Sequence, residues 1–308
     1  MSTASLKHRK LIKLIISQRI LLLFLLPGAI ALIIFNYIPM IGILMAFENY
    51  KPQKGFFGSE FIGLQNFIMF FKDADFYTAL KNTLGISFFS LLIGFPAPIL
   101  LALMLDNVNN VHFKKITQTI TYLPHFISWV VIASLVYRIL DGDTGTINMI
   151  IKAFGKEPVE FMRNPDCYWA ILITTNVIKE IGWGSIIYLA AISGIDPEQY
   201  NAALVDGANR LQRLIHITLP GITMTILLMF ILSIGSLVTV NFDAAFNLKN
   251  AVVMSSAEVI DTYVFRTGVS MGNFSYATAI GFAQSMISFI LVFTALKLSK
   301  KFGDYSII

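Results

Sequence analysis

The sequence predicts an all-α membrane protein with six transmembrane helices. Of its 308 residues, 56% are hydrophobic and only 13% are charged, and the mean hydropathy is +0.71. Soluble domains contain about 25% charged residues, so this chain has too few charges to cover a water-exposed surface. Six stretches are long and apolar enough to cross a hydrocarbon core of roughly 30 Å as helices: 20–47, 78–105, 122–140, 168–194, 222–241 and 277–298.

The chain begins with a basic segment, residues 1–19, in which positive charges alternate with apolar side chains. Its bases are Lys7, Arg9, Lys10, Lys13 and Arg19. The pattern is typical of an amphipathic helix in a membrane interface rich in anionic lipid, and a plain positive anchor for the first span explains it equally well. The apolar run that follows is too long for a signal peptide and lacks a convincing cleavage site, so we expect an uncleaved first span.

Prolines interrupt the first two spans. Pro27 and Pro39 lie in the first span, and Pro96 and Pro98 lie midway through the second. A proline removes a backbone donor and favours a kink, which the packing of neighbouring helices explains without a functional role. The third stretch, 122–140, is short and interrupted, and its borders are the least sharply defined.

Six spans place both chain termini on the same side of the membrane. Beyond the first segment, the bases that lie directly against the spans on that side are Lys114, Lys115, Arg210, Arg213, Lys297, Lys300 and Lys301. The positive-inside rule therefore predicts cytoplasmic termini, with residues 299–308 as a cytoplasmic tail. The loops on the other side, 48–77, 141–167 and 242–276, are long enough to form a surface that meets an external partner.

The loop between the fourth and fifth spans, 196–220, contains the local signals of two short helices. Asp196 is a good N-cap, Pro197 suits the first helical position, and Gln199 stands where a capping box needs its partner. The first helix is predicted to end before Gly207, which can adopt a positive φ and turn the chain.

A second short helix is predicted over 209–217, after which Leu219-Pro220 should redirect the chain into the fifth span. We call this helix–turn–helix unit the 196–220 hairpin, and under the predicted topology it lies on the cytoplasmic face. Its first half carries small side chains, at Ala202, Ala203, Gly207 and Ala208. Small side chains allow the surface of another protein to approach the backbone closely.

The hairpin also carries a specific pattern, Ala-Ala-x-x-Asp-Gly-Ala followed further on by Ile-x-Leu-Pro. Its residues are Ala202, Ala203, Asp206, Gly207, Ala208, Ile217, Leu219 and Pro220. The pattern resembles the signature loop of binding-protein-dependent ABC importer permeases, which have the type I importer fold with six spans per subunit. The resemblance implies that the hairpin is a coupling helix that docks into a groove on a cytoplasmic ATPase. The family usually has Glu before the two alanines; Asn201 stands here, and it can hydrogen-bond but cannot form a salt bridge.

Four further motifs extend the resemblance over nearly the whole chain. They are Asn-Tyr-Ile-Pro-Met at 36–40, Gly-Phe-Pro-Ala-Pro at 94–98, Tyr-Leu-Pro-His-Phe at 122–126 and Lys-Glu-Ile-Gly-Trp-Gly at 179–184. They are similar to the carbohydrate-uptake branch, particularly to oligosaccharide permeases. The resemblance implies a bacterial plasma-membrane protein that pairs with a sister permease, recruits two ATPase subunits and receives its sugar from an extracellular lipoprotein. Residues 20–298 would form the permease domain and pass the sugar inward by alternating access.

The fourth span carries a polar stripe that could line a permeation path. Asn176, Lys179, Glu180 and Trp183 stand at helical spacing on one face. Charged residues near mid-membrane are costly and should face protein or a water-filled cavity, and the indole of Trp183 offers a flat face for a sugar ring. The alternative is that Lys179 and Glu180 pair with the sister subunit and never contact sugar. Weaker candidates are Asn241, Asp243 and Gln284.

The sequence contains no motif for nucleotide or metal binding. Its histidines, His8, His112, His125 and His216, are scattered, and no phosphate loop of the form Gly-x-x-x-x-Gly-Lys-Ser/Thr occurs. We therefore expect no cofactor on this chain and no catalysis by it, with ATP and Mg²⁺ bound by the partner ATPase subunits. The net charge is +5, and several of the basic residues cluster in the first segment, where we expect them to contact anionic membrane lipid rather than nucleic acid.

An ion-coupled secondary transporter of a small polar solute is the alternative function. Such transporters favour inverted repeats and broken helices that face each other at mid-membrane, and neither is evident in this sequence. The alternative also leaves the 196–220 hairpin unexplained. A membrane-embedded enzyme is a third class, but no cluster of His, Asp, Glu and Ser on adjacent faces supports it.

Overall fold

In the computed structural model, which describes residues 17–302, the protein is a bundle of long helices. Five of the described helices are long and apolar enough to cross a membrane without a sharp bend: Arg19–Phe47, Ala74–Asp106, Pro165–Ser193, Arg210–Val238 and Phe274–Ser299. We number them spans 1, 2, 4, 5 and 6, after the predicted stretches. Most of the basic first segment, residues 1–16, and the end of the predicted tail, residues 303–308, lie outside the described residues.

The third predicted span is a bent pair of helices, Val111–Phe126 and Trp129–Ile139, which meet at 106°. The first helix ends in a 3-10 turn, and Ser128 then caps the second helix by accepting a hydrogen bond from the amide of Val131. The predicted interruption is confirmed, but the pair begins well before residue 122. Among the described residues, therefore, five spans are continuous and the sixth crossing exists only if the bent pair is one broken span.

Span 1 changes its helix type along its length. It is α-helical over Arg19–Leu32, π-helical over Ile33–Tyr37 and 3-10 helical over Ile38–Phe47. Pro39 has no N–H to donate to the preceding turn, which accounts for the loss of α-helical bonding around it. The 3-10 stretch packs on span 6, where the rings of Phe47 and Phe282 lie 5.9 Å apart between centroids.

The centre of the bundle is formed by spans 2, 4 and 5. Span 2 runs as Ala74–Gly94 and continues as Pro96–Asp106. A buried apolar cluster joins the three spans close to the hairpin, and its buried members are Ile99, Ala102, Leu103, Tyr188, Ile192 and Ile222. On span 4, Gly182 lies so close to the backbone of Thr121 that a Cβ atom would collide with it. This glycine brings the bent pair directly against span 4.

Short elements cover the end of the bundle opposite the hairpin. They are the antiparallel strands Glu48–Asn49 and Glu60–Phe61, the helices Gly55–Gly58, Gln65–Phe70, Thr146–Ala153, Phe242–Leu248, Met254–Ala257 and Ile260–Phe265, the 3-10 turn Phe161–Arg163 and the π turn Arg266–Ser270.

Hydrogen bonds fasten these elements to the spans. Asp73, the cap of span 2, accepts bonds from the hydroxyls of Tyr263 and Tyr276 at 2.6 and 2.8 Å. Burial raises the pKa of Asp73, but these bonds and two backbone amides outweigh burial and hold the pKa below its ordinary value. The end opposite the hairpin is therefore a folded surface rather than a set of loose loops.

Candidate functional site

The first helix of the 196–220 hairpin forms where the sequence predicts it, over Pro197–Val205. Asp196 caps it, since its side chain accepts a hydrogen bond from the Glu198 amide at 3.0 Å. The predicted capping box with Gln199 is wrong. The main-chain amide of Gln199 donates instead to the main-chain oxygen of Asp196, at 3.2 Å.

Gly207 ends this helix with the predicted positive φ, at +77°. The Ala208 amide donates to the oxygen of Ala203 at 2.8 Å, and the Gly207 amide donates to the oxygen of Leu204 at 3.1 Å. These two bonds are the Schellman pattern of helix termination, which requires a left-handed residue at the position of Gly207. The turn of the hairpin is thus fixed by backbone geometry that only glycine adopts without strain.

The second half of the hairpin is not the separate helix that was predicted. Asn209 and Gln212 form a capping box, with bonds of 2.8 and 2.9 Å, and the helix that they start runs on into span 5. A π turn, Leu214–Thr218, precedes Pro220 and shifts the amide of Leu219 onto the oxygen of Leu214. Because this wider turn accommodates the missing N–H of proline, the chain passes Leu219-Pro220 without changing direction.

One face of the hairpin helix is open to its surroundings. Asn201 and Ala202 are exposed, as are Asp206 and Gly207, and the side chain of Val205 is 89% exposed. Ala203 and Ala208 are partly buried, and Leu219 packs at the edge of the apolar cluster of spans 2, 4 and 5. Small and apolar side chains therefore occupy an unobstructed ridge, which is a suitable surface for another protein.

A second candidate site is a cavity of about 510 Å³ between spans 2, 4 and 5. Three of the predicted path residues line it: Asn176 and Glu180 from span 4, and Asn241 just beyond span 5. Span 2 contributes Ser87 and Ser90, neither of which was predicted. A serine in an apolar helix gives no signal in one sequence, because it bonds the preceding turn as readily as it faces a cavity.

Several polar atoms on the cavity wall are not used within the described part of the chain. The side chains of Asn176 and Ser90 make no hydrogen bond there, and Asn241 uses only its oxygen, to cap the helix Phe242–Leu248. Glu180 uses one carboxylate oxygen. The wall therefore offers both donors and acceptors, the complement that a polyhydroxylated solute needs.

Lys179 does not lie on the cavity wall. Its side chain is only 5% exposed, and its Nζ donates to the main-chain oxygens of Pro124, His125 and Ile127 at 3.0, 2.6 and 2.8 Å. The break in the bent pair leaves the oxygens of His125 and Ile127 without helical partners, and the ammonium group supplies their donor. The oxygen of Pro124 also accepts from the amide of Ile127, at 3.2 Å. The expectation that Lys179 meets sugar or a sister subunit is thus corrected, because its three donors are occupied within this chain.

Glu180 and Trp183 also contact the bent pair. The Glu180 carboxylate lies 2.7 Å from Nδ1 of His125, and the His125 ring stacks on the indole of Trp183 with centroids 4.4 Å apart. One face of Trp183 is therefore occupied by protein, although the side chain remains 45% exposed. His125 was not predicted as a functional residue, and the only signal for it was its place in the Tyr-Leu-Pro-His-Phe motif.

Gln284 and Asp243 lie away from the cavity. Gln284 is buried and donates to the main-chain oxygen of Val238 at 2.7 Å and to Asp261 at 3.3 Å. Burial raises the pKa of Asp261, in spite of hydrogen bonds from Val240 and Gln284. Asp243 is exposed in the first turn of its short helix. Gln284 therefore belongs to the packing around the end of span 5, and Asp243 lies on the surface of its short helix, so neither lines the cavity.

Comparison with known proteins agrees with this architecture. The family model described as "Binding-protein-dependent transport system inner membrane component" matches residues 94–299. The polygalacturonan/rhamnogalacturonan transport system permease protein YteP of Bacillus subtilis is 44% identical, over 98% of this chain and 94% of the relative. The arabinooligosaccharides transport system permease protein AraP of the same organism is 28% identical, over 91% and 88%.

Solved structures extend the comparison to the fold. A bacterial ABC transporter involved in the import of the acidic polysaccharide alginate superposes with a TM-score of 0.88 and 39% identity, over 96% of this chain and 100% of that chain. A second structure is of a bacterial alginate ABC transporter in complex with a periplasmic protein that holds an alginate pentasaccharide. It gives a TM-score of 0.87 and 38% identity, over 96% and 99%. The chain therefore belongs to the binding-protein-dependent inner membrane components, the permeases of ABC importers, as the sequence resemblance indicated.

Proposed function

We propose that this permease carries an oligosaccharide into the cell, as one of two related membrane subunits that enclose a shared path. The observation that carries the proposal is the cavity between spans 2, 4 and 5, whose wall combines unused polar side chains with apolar surface. A carbohydrate needs many hydrogen-bond partners and apolar surface for its C–H faces, and this wall provides both. The substrates named for the four proteins compared above are all saccharides, which supports the same class for this chain.

The partners follow from the same proposal. An extracellular lipoprotein delivers the sugar, a sister permease closes the other side of the path, and two ATPase subunits bind ATP and Mg²⁺. Both termini and the 196–220 hairpin then face the cytoplasm of a bacterial cell. The exposed ridge of Asn201, Ala202 and Val205 is the surface that docks on an ATPase, without the salt bridge that a glutamate at residue 201 would allow. An ion-coupled mechanism would leave this ridge without a partner.

Co-purification tests the partnership. The chain is expressed with an affinity tag in its native operon context, solubilised mildly and pulled down. We expect a sister permease, an ATPase and a substrate-loaded lipoprotein in the eluate, and ATP-dependent uptake after reconstitution with a tritiated panel of arabino-oligosaccharides, oligogalacturonides and alginate oligosaccharides. An eluate without an ATPase, or uptake that responds to an ion gradient and not to ATP, would contradict the proposal.

Filling the cavity should block uptake without preventing assembly. In Asn176→Phe a ring enters the cavity. We expect uptake to fall by about tenfold or more while the ATPase still co-purifies, because a bulky side chain in the path hinders the solute and slows transport. Ile178→Phe is the matched control. Residue 178 is two positions along the same helix and is 61% exposed, so the same ring points away from the path. Equal uptake by the two variants would exclude the cavity as the path.

A further inference from the structure

The hairpin helix Pro197–Val205 is attached to the rest of the chain at very few points. None of its residues is buried, and Tyr200 and Ala203 are its partly buried members. In the described part of the chain, its side chains make a single hydrogen bond to another element. This bond joins the hydroxyl of Tyr200 to Oγ1 of Thr218, at 3.0 Å. A movement of the helix must therefore pass largely through this contact or through the chain at its two ends.

Thr218 lies where span 5 departs from α-helical geometry. It is the last residue of the π turn Leu214–Thr218, is only 4% exposed, and its Oγ1 donates to the main-chain oxygen of Arg213 at 3.5 Å. Pi turns occur mostly as single turns at functional positions, because their looser bonding permits a local change of helix geometry.

A second contact places the start of the hairpin on the same part of span 5. Ile195 packs against Gly221 so closely that a Cβ at residue 221 would lie 2.6 Å from its Cδ1. Beyond the hairpin turn, the chain continues into span 5 as one helix. The hairpin helix is thus connected to the first turns of span 5 by packing, by one hydroxyl–hydroxyl bond and by the chain itself.

We infer that the Tyr200–Thr218 bond transmits the movement of the hairpin helix to span 5, with the π turn as the point of bending. Both are positioning residues, and this inference rests on the proposed docking of the hairpin on an ATPase. Since span 5 borders the cavity through Met229, Ser233 and Ser236, bending at the π turn changes the cavity wall. The hydroxyl pair therefore couples ATP hydrolysis to solute movement without contacting either the nucleotide or the solute.

The test measures solute uptake per ATP hydrolysed in reconstituted complexes, with the oligosaccharide panel as probe. Tyr200→Phe and Thr218→Val each remove one hydroxyl and keep the shape of the side chain. We expect uptake per ATP to fall about fivefold in either variant, the factor that corresponds to one ordinary hydrogen bond, while the ATPase still assembles and hydrolyses ATP. The double variant should be no worse than Thr218→Val, because the bond that Tyr200→Phe removes is already absent from Thr218→Val.

Thr223→Val is the matched control, because Thr223 lies on the same helix but bonds only to the oxygen of Leu219 in its own turn. It should leave uptake per ATP unchanged. An unchanged ratio in Tyr200→Phe and Thr218→Val, additive losses in the double variant, or an equal loss in Thr223→Val would overturn the inference. Failure of the unmodified chain to assemble with an ATPase would instead overturn the proposed function, and the inference with it.

Discussion

Replacing Gly207 with valine is expected to abolish ATP-driven uptake and to release the ATPase from the complex. Gly207 has a φ of +77°, where a β-branched residue is strained by about 1–2 kcal/mol or more. A Cβ at this position would meet nothing within 4 Å, so the effect comes from the backbone and not from a collision. Because the hairpin helix has no buried residue to hold it in place, the strain is relieved by unfolding the turn.

The same chain contains a closely matched control at Gly155. This glycine has a φ of +72°, a Cβ added to it would likewise meet nothing within 4 Å, and it ends the helix Thr146–Ala153 with the same Schellman bonds. It lies at the end of the bundle opposite the hairpin. We expect Gly155→Val to strain its own turn equally and to leave ATPase binding intact, as measured by pull-down of the tagged permease. ATPase binding by Gly207→Val at the level of Gly155→Val would contradict the docking role.

Both ends of the hairpin helix could be predicted from the sequence because Asp196, Pro197 and Gly207 act on neighbouring backbone atoms, and local chemistry decides such positions. The capping-box role predicted for Gln199 was wrong although the residue stands at the correct spacing. Its main-chain amide bonds to the main-chain oxygen of Asp196, and its side chain takes no part in the cap. The continuous passage through Pro220 was missed, since a π turn has no sequence signature of its own.

The cavity was harder to predict than the spans. The length of each apolar stretch is enough to identify the five continuous helices, because the thickness of the bilayer sets a minimum length for every spanning helix separately. Helical spacing correctly grouped Asn176 with Glu180, but it could not show that Lys179 turns toward the bent pair. That depends on the carbonyls of residues 124–127, which only the folded chain brings to span 4. Contacts between segments that are far apart in the chain therefore could not be predicted from one sequence.

Lys179 gives the second large effect that we expect. In Lys179→Met the side chain keeps its length and loses the ammonium group, so the main-chain oxygens of Pro124, His125 and Ile127 lose their shared donor. The oxygen of Pro124 keeps its bond from the amide of Ile127, but the part-buried oxygens of His125 and Ile127 are left without a partner. That costs about 3 kcal/mol in free energy of unfolding, which in a chain of this size lowers Tm by roughly 5 °C. Uptake should fall with it, because the bent pair no longer holds His125 against Glu180.

Lys152→Met separates this effect from the simple loss of a positive charge. Lys152 donates to one main-chain oxygen, that of Asp143 at 3.0 Å, in an exposed position where water can take its place. We expect a change within about 0.5 kcal/mol and normal uptake. Thermal unfolding in detergent, followed by tryptophan fluorescence, measures both variants. Equal Tm values would mean that the oxygens of His125 and Ile127 bond to water when Lys179 is removed, and the bent pair would then be open to solvent rather than sealed against span 4.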